Sequence, residues 1–280
     1  MRNHATITAV AVAIALTTGT AMAKDWTTVR VATEGAYPPW NSTDSSGQLI
    51  GFEIDLAEDL CQRMQVECEI LAQDWEGIIP ALTAGKYDVI MAGMSITDER
   101  MEVISFSDNY AGTPAYFAVL KDSDLATYQG SLDKANLDEI DAGEQAAIDD
   151  LKEALDGKTV GVQVATTHAN FLDQHLGDTV EIRSYDTQEN LDLDLQAGRV
   201  DAALASASYW HPLLQTEKGA DFVLIGPGLD GGPFGKGVGA GIRQEDTDLV
   251  EMFNEAIAEA KADGTINRLA QQWFGFDVVS

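Results

Sequence analysis

A pattern of fourteen residues occurs twice in this chain, at residues 82–95 and at residues 195–208. Both copies contain Leu-x-Ala-Gly, a basic residue, a variable residue and Asp, and then four apolar residues, a small residue, a variable one and Ser. Each copy predicts a helix that ends at glycine (Gly85 or Gly198), a turn containing the Asp, and a buried strand. The glycines are 113 residues apart, which is too far for a solenoid and fits two α/β lobes facing a ligand-binding crevice. The alternative is chance similarity between two helix–glycine–strand junctions.

The N-terminal residues have the composition of a secretory signal peptide. Arg2 supplies the positive charge, residues 5–16 form an apolar run, and residues 21–23 read Ala-Met-Ala, a small-x-small cleavage site. The run is shorter than the roughly 20 apolar residues that span a bilayer. We therefore predict a signal peptide at residues 1–23, cleavage after Ala23, and a soluble mature protein in the periplasm.

Cys61 and Cys68 are the only cysteines in the sequence. They lie at the end of a predicted helix, residues 52–64, and in a predicted strand, residues 66–71. In an exported protein, two nearby cysteines favour a disulfide. The spacing is not C-x-x-C and no histidine is near, so the sequence does not favour a redox or metal-binding role.

The net charge of −29 at pH 7 is spread along the whole chain. It argues against nucleic acid as a partner, because binding to phosphates requires a basic surface. Repulsion between the carboxylates keeps such a surface in solution. Two further explanations remain open, namely a saline habitat and electrostatic attraction of a cationic ligand.

Predicted strands and helices alternate along the chain, which indicates an α/β fold with a mixed sheet flanked by helices in each lobe. The strand at residues 159–164 repeats the role of the opening strand at residues 28–32. The chain is predicted to pass between the lobes twice, so that the two crossings form a hinge. The predicted parts are residues 24–112 and 230–280 for lobe 1, residues 115–222 for lobe 2, crossings near residues 111–115 and 222–230, and a partly helical, acidic surface insertion at residues 122–157.

Two predicted strand ends carry groups that suit an anion. In the first lobe Ser95 or Thr97 can cap a helix, and Arg100 offers a planar guanidinium that matches a carboxylate. In the second lobe Thr166 and Thr167 open a helix whose first N–H groups can bind an anion. Taken separately, each set is explained by ordinary capping, with Arg100 in a surface ion pair. Their joint occurrence favours one carboxylate ligand shared by both lobes.

An acid and several aromatic residues follow other predicted strand ends. Glu34 and Tyr37 come just after the first strand, and Trp75 opens a helix. A carboxylate beside flat aromatic faces suits a long cation or a guanidinium. The alternatives are core packing for Trp75 and a solvated side chain for Glu34.

Motifs of catalysis and nucleotide binding are absent from the sequence, which contains neither G-x-S-x-G nor a P-loop. His168 and His175 lie seven residues apart without the partners of a zinc site. We predict capping or surface roles for both histidines, and we expect no cofactor, no metal and no catalytic residue.

Several segments in order carry a family resemblance: residues 29–40, 51–57, 75–82 and 94–100. They resemble the periplasmic amino-acid-binding proteins of ABC importers, over nearly the whole chain after the predicted signal peptide. Residues 60–64 with Cys68 resemble the lysine/arginine/ornithine- and histidine-binding branch, whereas residues 122–157 and 205–208 are more similar to octopine- and nopaline-binding proteins. The resemblance implies the two-lobed fold of type II periplasmic binding proteins, a monomer, and a membrane permease as partner.

The resemblance also implies a role for each candidate residue. The implied contacts are Arg100, Ser95 and Thr167 for the ligand α-carboxylate, Tyr37 and Trp75 for its aliphatic stem, Glu34 for its distal cation, and Ala92 and Gly93 for backbone groups and space. One residue departs from the family pattern: the amino-acid-binding branch has an acid after the second repeated strand to pair with the α-ammonium, and here that residue is Ser206. This weakens the case for plain lysine, arginine or ornithine and leaves room for a substituted amine with an extra carboxylate, as in an opine.

Two classes of function are compatible with these features. In the first, the lobes close on a cationic or guanidino amino acid, or on its opine conjugate, and the closed form docks on a permease. The alternative is a dehydratase-type enzyme on the same fold, for which Glu34 is the obvious acid in the cleft.

Overall fold

The structure is a computed structural model and describes residues 24–278. The signal peptide predicted at residues 1–23 lies outside the described residues and stays a prediction. Among the helices of residues 24–278, none combines the length and the apolar content that a membrane crossing requires.

Strands and helices alternate along most of the chain, as predicted. The strands are Thr28–Thr33 (β1), Ala36–Tyr37 (β2), Asn41–Thr43 (β3), Leu49–Ile50 (β4), Glu67–Ala72 (β5), Val89–Ile90 (β6), Ser105–Phe106 (β7), Ala115–Leu120 (β8), Lys134–Asn136 (β9), Thr159–Gln163 (β10), Glu181–Tyr185 (β11), Ala202–Ser206 (β12), Phe222–Asp230 (β13) and Gly241–Ile242 (β14). The α-helices are Phe52–Met64 (α1), Ile78–Thr83 (α2), Asp98–Met101 (α3), Ala142–Ala154 (α4), Thr167–Phe171 (α5), Gln188–Gln196 (α6), Ala207–Leu213 (α7), Thr247–Ala262 (α8) and Thr265–Trp273 (α9). Short 3-10 turns occupy Trp75–Gly77, Asp124–Thr127 and Gly232–Phe234, and a π-helical turn occupies Leu172–Leu176.

The strands form two main sheets, each with parallel and antiparallel neighbours. The first sheet has the order β5-β1-β6-β14-β7; β1 is parallel to β5 and β6, and β14 is antiparallel to β6 and β7. The second has the order β11-β10-β12-β8-β13-β9; β10 is parallel to β11 and β12, and β8 is antiparallel to β12 and β13. A small third sheet contains β2, β3 and β4. The predicted α/β fold with a mixed sheet in each half is confirmed.

The repeated sequence pattern forms the same structure in both sheets. Gly85 and Gly198 follow the ends of α2 and α6 with φ of 73° and 66°, a left-handed conformation that glycine adopts at little cost. In both copies the Asp carboxylate accepts a hydrogen bond from the first strand of its sheet: Asp88 accepts a β1 N–H at 3.1 Å, and Asp201 accepts a β10 N–H at 2.8 Å. The similarity is therefore structural and not a chance match.

Helices α1, α8 and α9 share one apolar core with strand β1. Each helix has a buried stripe at helical spacing, which is why it packs against the sheet. Buried side chains recur every three or four residues along α8, and two of them are consecutive in sequence. They are Leu249, Phe253, Ala256, Ile257 and Ala260. The disulfide between Cys61 and Cys68 joins α1 to β5, which confirms the predicted pairing.

The second crossing between the lobes was predicted near residues 222–230, but these residues form a strand of the second sheet. Residues 222–230 form β13, which pairs with β8 and β9 in the second sheet, so the chain leaves this sheet only after Asp230. A short apolar segment does not reveal from sequence which sheet it joins, and the return was therefore placed too early. The division into lobes at residues 24–112 and 230–280 and at residues 115–222 stays a prediction.

Residues 122–157 belong to the core of the second sheet, which corrects their interpretation as a surface insertion. Strand β9 extends the sheet beside β13, and α4 buries Ala147, Ile148 and Leu151 in the same core. The acids Asp149 and Glu153 lie on the exposed side of α4. The segment is acidic because its exposed side chains are acidic, whereas its buried side chains are apolar.

Candidate functional site

A cavity of about 500 Å³ lies between the two main sheets, where strands β1, β6, β10 and β12 end. This volume is in the range of small-molecule sites. Polar residues that follow strand ends on different elements converge there, as they do at ligand sites of open α/β sheets. All the residues predicted to bind a ligand line this cavity: Glu34, Tyr37, Trp75, Ala92, Gly93, Ser95, Arg100, Thr166, Thr167 and Ser206.

Arg100 presents a guanidinium without an acidic partner. Its side chain donates hydrogen bonds to the backbone oxygens of Ser95 (2.8 Å) and Ala165 (3.2 Å), and it lies 5.4 Å from the centre of the Trp75 ring. Within residues 24–278, no carboxylate lies within 4.0 Å of it. Burial without this compensation lowers the pKa of Arg100 to about 10. The surface-pair alternative is therefore wrong, and the arrangement can neutralise an anion in the cavity.

Helix caps fix the two segments predicted to hold an anion. Thr97, rather than Ser95, caps α3 by accepting a hydrogen bond from the backbone N–H of Arg100 (3.2 Å). Thr166 caps α5: its hydroxyl accepts the N–H of Ala169 (3.1 Å) and donates to a β10 carbonyl (2.7 Å). The hydroxyl of Thr166 is thus already committed to the helix end.

Glu34 presents a carboxylate without a cationic partner. Its Oε1 accepts a hydrogen bond from Nε2 of Gln163 (2.7 Å), and within the described part of the chain no Lys, Arg or His nitrogen lies within 4.0 Å. Burial raises the pKa of Glu34 to about 7, against the opposing effect of the Gln163 hydrogen bond. Gln163 ends β10 and is nearly inaccessible to solvent. The sequence did not indicate this residue, because a polar side chain at a strand end carries no special signal.

The aromatic residues of the cavity are held by neighbours on one side. The ring of Tyr37 stacks on that of Tyr209 with centroids 4.8 Å apart and an interplanar angle of 16°. The indole Nε1 of Trp75 donates to the backbone oxygen of Val164 (2.9 Å). Tyr37 therefore has one face left for a ligand stem, and the predicted enclosure of that stem by Tyr37 and Trp75 stays a prediction.

A buried carboxylate behind the cavity accepts a hydrogen bond from the backbone of the cavity wall. Both oxygens of Glu53 lie 2.8 Å from the N–H of Gly93, and Asn41 (3.0 Å) and the hydroxyl of Tyr110 (2.5 Å) also donate to it. The Gly93 N–H is therefore not available to a ligand, whereas the predicted contribution of other backbone groups and space by Ala92 and Gly93 stays a prediction. Burial raises the pKa of Glu53 to about 7. Its position on the buried stripe of α1 was the sequence signal that could have identified it.

His168 lies in the cavity wall, which corrects its predicted capping or surface role. Its Nε2 is 3.5 Å from Oγ of Ser206, and its ring meets the edge of the Phe234 ring at a centroid distance of 5.8 Å. Burial, reinforced by the charge of Arg100, lowers the pKa of His168 to about 4. The imidazole is therefore neutral near pH 7.

The cavity continues beyond His168 and Ser206 to residues that the sequence did not indicate. Lys134, Asn136, Asp230 and Lys236 line this part. They lie in the segment interpreted as a surface insertion and near the crossing predicted at residues 222–230. Because both of these predictions were wrong, the sequence analysis did not identify these residues as part of the site. Residues 24–278 contain no group of three His, Cys, Asp or Glu side chains able to hold a metal ion.

Comparison with known proteins places this geometry in a family context. Residues 29–276 match the family model described as bacterial extracellular solute-binding proteins, family 3. The chain is 42% identical over 268 residues to the octopine-binding periplasmic protein of Rhizobium meliloti, covering 89% of this chain and 91% of that protein. It is 37% identical over 253 residues to the histidine-binding periplasmic protein of Escherichia coli K12, covering 89% and 88%.

A solved structure has the same overall arrangement. It is a periplasmic His/Glu/Gln/Arg/opine family-binding protein from Silicibacter pomeroyi in complex with lysine, 36% identical to this chain with a TM-score of 0.70. The similarity covers 90% of this chain and 99% of that one.

Proposed function

Because the chain belongs to the bacterial extracellular solute-binding proteins, family 3, we propose that it is the periplasmic binding component of an ABC-type importer. Its ligand is a cationic or guanidino amino acid (arginine, ornithine or lysine) or an opine such as octopine or nopaline. A membrane permease is its partner, and it acts as an exported monomer. The names of the similar proteins, which refer to octopine, histidine and lysine, agree with this class of ligand.

The observation that carries this proposal is the pair of uncompensated charges in one cavity. Arg100 lacks a carboxylate within ion-pair distance and Glu34 lacks a cation, among the described residues, although each is half-buried. Burying an unpaired charge is costly. A ligand with a carboxylate at one end and a guanidinium or ammonium at the other relieves both costs at once.

The α-nitrogen of the ligand determines which of these compounds fits best. Ser206 stands where the amino-acid-binding branch has an acid, and a hydroxyl cannot neutralise a primary ammonium. Asp230 does not stand directly beside Ser206: β13 is separated from β12 by β8, so the backbones of the two residues are two strand spacings, roughly 10 Å, apart. An opine carries a second carboxylate on this nitrogen, which favours an opine at least as strongly as arginine.

We expect Ser206→Asp to reverse the order of affinity. The new carboxylate pairs with the α-ammonium of arginine and repels the extra carboxylate of octopine, and each effect is worth about 1–3 kcal/mol. Titration calorimetry with arginine and octopine measures both. Ser206→Ala is the control, since it removes the hydroxyl without adding a charge. If Ser206→Asp strengthens both ligands or neither, the α-nitrogen does not lie beside Ser206.

A thermal-shift panel of arginine, ornithine, lysine, histidine, octopine and nopaline tests the proposed function as a whole. A ligand at about 100 times its Kd stabilises the folded state by about 2.7 kcal/mol. Stabilisation by arginine or ornithine and by no opine would remove the Ser206 argument and leave an ordinary basic-amino-acid-binding protein. No stabilisation by any member would reject the proposal.

Affinity for arginine should fall as the pH is lowered through about 7. A bound guanidinium favours the ionised form of Glu34, whose pKa is raised to about 7 by burial in the free protein, so binding at lower pH must expel its proton. The loss approaches about tenfold per pH unit below this pKa. Calorimetry from pH 8 to pH 5 measures it, with neutral citrulline as the control ligand. Burial also raises the pKa of Glu53 to about 7 and that of Asp192 to about 6, so a slope that persists in Glu34→Gln would assign the effect to one of these two groups.

A binding role, rather than catalysis, agrees with the charges of the cavity. An acid with a pKa near 7 could serve as a general acid, but pairing of Glu34 with a ligand cation accounts for its position without a reaction. Incubation of the pure protein with prephenate or arogenate separates the two classes. Turnover of either compound would replace the binding proposal with a dehydratase.

A further inference from the structure

We propose that His168 and Ser206 together form a subsite for a second carboxylate, the one carried by the substituent on the α-nitrogen of an opine. This inference rests on the proposed function and adds to it the residue that distinguishes an N-carboxyalkyl amino acid from the free amino acid. His168 is the specificity-determining member of the pair.

The geometry leaves both side chains able to bind a ligand. Ser206 ends β12 and His168 lies in the first turn of α5, which follows the neighbouring strand β10. Their separation of 3.5 Å is long for a hydrogen bond between them. The Ser206 hydroxyl also lies within reach of the Tyr37 hydroxyl, and it can rotate from that group toward a ligand. One carboxylate beside the pair can then accept hydrogen bonds from both side chains.

The charges near this pair favour an anion over an ammonium. The guanidinium of Arg100 is close enough to lower the proton affinity of His168. The carboxylate of Glu99, which opposes the lowering of the Arg100 pKa, is exposed to solvent. The acids Asp138 and Asp230, which line the adjoining part of the cavity, are accompanied there by Lys134 and Lys236. Arg100 is thus not outweighed by acids, and a neutral imidazole can give an N–H to an oxygen in this corner.

The cavity also has room for the rest of the substituent. Beyond the pair it continues to Asn136 and Lys236, whose side chains line the same space. The ring of Phe234 stands edge-on to the imidazole at 60°, which fixes the ring and offers apolar surface to an alkyl group. A plain amino acid would leave this part of the cavity filled with solvent.

The test compares octopine and arginine by titration calorimetry in the full-length mature protein. His168→Phe keeps an aromatic ring but removes the donor, and we expect it to weaken octopine about ten- to one-hundred-fold more than arginine. His168→Gln, which retains an N–H donor, should recover most of this selectivity. His175→Gln is the matched control, because His175 lies seven residues further along the chain, in the π-helical turn, and does not line the cavity.

The other results would overturn the inference. An equal loss for both ligands in His168→Phe would mean that the ring acts through packing. A larger loss for arginine would mean that the imidazole accepts a hydrogen bond from the α-ammonium. If the wild-type protein binds arginine but no opine, the subsite is absent while the proposed function stands. If it binds neither, the proposed function itself has failed.

Discussion

Replacement of Arg100 by alanine should nearly abolish ligand binding while leaving the protein folded. The substitution leaves the ligand α-carboxylate buried without its partner, which costs about 2–5 kcal/mol, a factor of roughly 30 to several thousand in Kd. The free protein should be at least as stable as the wild type, because the substitution removes a buried charge that has no acidic partner among residues 24–278. Titration calorimetry and thermal unfolding without ligand measure the two effects.

Arg199→Ala is the control for this result. Arg199 pairs with Asp194 (2.6 Å) on the surface, and its side chain is 64% exposed. Exposed pairs contribute about 0–1 kcal/mol, so ligand affinity should stay unchanged in this variant. Near-wild-type affinity in Arg100→Ala would mean that the ligand carboxylate is bound elsewhere.

Replacement of Glu34 by glutamine should discriminate ligands by their charge. The amide keeps the shape of the side chain but cannot neutralise a buried guanidinium, so arginine and octopine should lose about 2–5 kcal/mol of binding free energy. Citrulline and glutamine carry no distal charge and should change by less than about 1 kcal/mol. A calorimetric series over these four ligands at pH 8 measures the difference.

Glu189→Gln provides the control, because Glu189 is exposed and close enough to influence Glu34 but does not line the cavity. Removing this exposed charge should weaken the binding free energy of arginine by about 0–1 kcal/mol, the size of effect expected for a charge on the surface. Equal losses for charged and neutral ligands in Glu34→Gln would make Glu34 a structural residue that positions Gln163.

The sequence predicted best those residues whose chemistry and position after a strand were both unusual. Arg100, Glu34 and Ser206 follow strands that the repeat or the opening pattern makes recognisable, and all line the cavity. Gln163 and His168 were missed or misassigned because their function depends on which elements meet across the cavity. That arrangement is a property of the tertiary fold, which local patterns do not contain.

The fold was predictable where periodicity and turn chemistry agreed. The bounds of α1 match the predicted helix at residues 52–64, because the segment combines a clear apolar stripe with a recognisable end. The segment 122–157 was misinterpreted because its acidic composition outweighed the apolar spacing of α4. The strand at residues 222–230 was misplaced because pairing between distant strands is not encoded in the residues of either strand alone.

Hydrogen bonds donated across the cavity by Trp75, Arg100 and Gln163 impose a kinetic condition on ligand exchange. They join the two sides of the cavity through protein groups alone. A ligand can enter or leave only after these bonds break, and association should therefore be slower than diffusion allows. The strength of these three bonds thus sets how quickly the protein can take up and release its ligand.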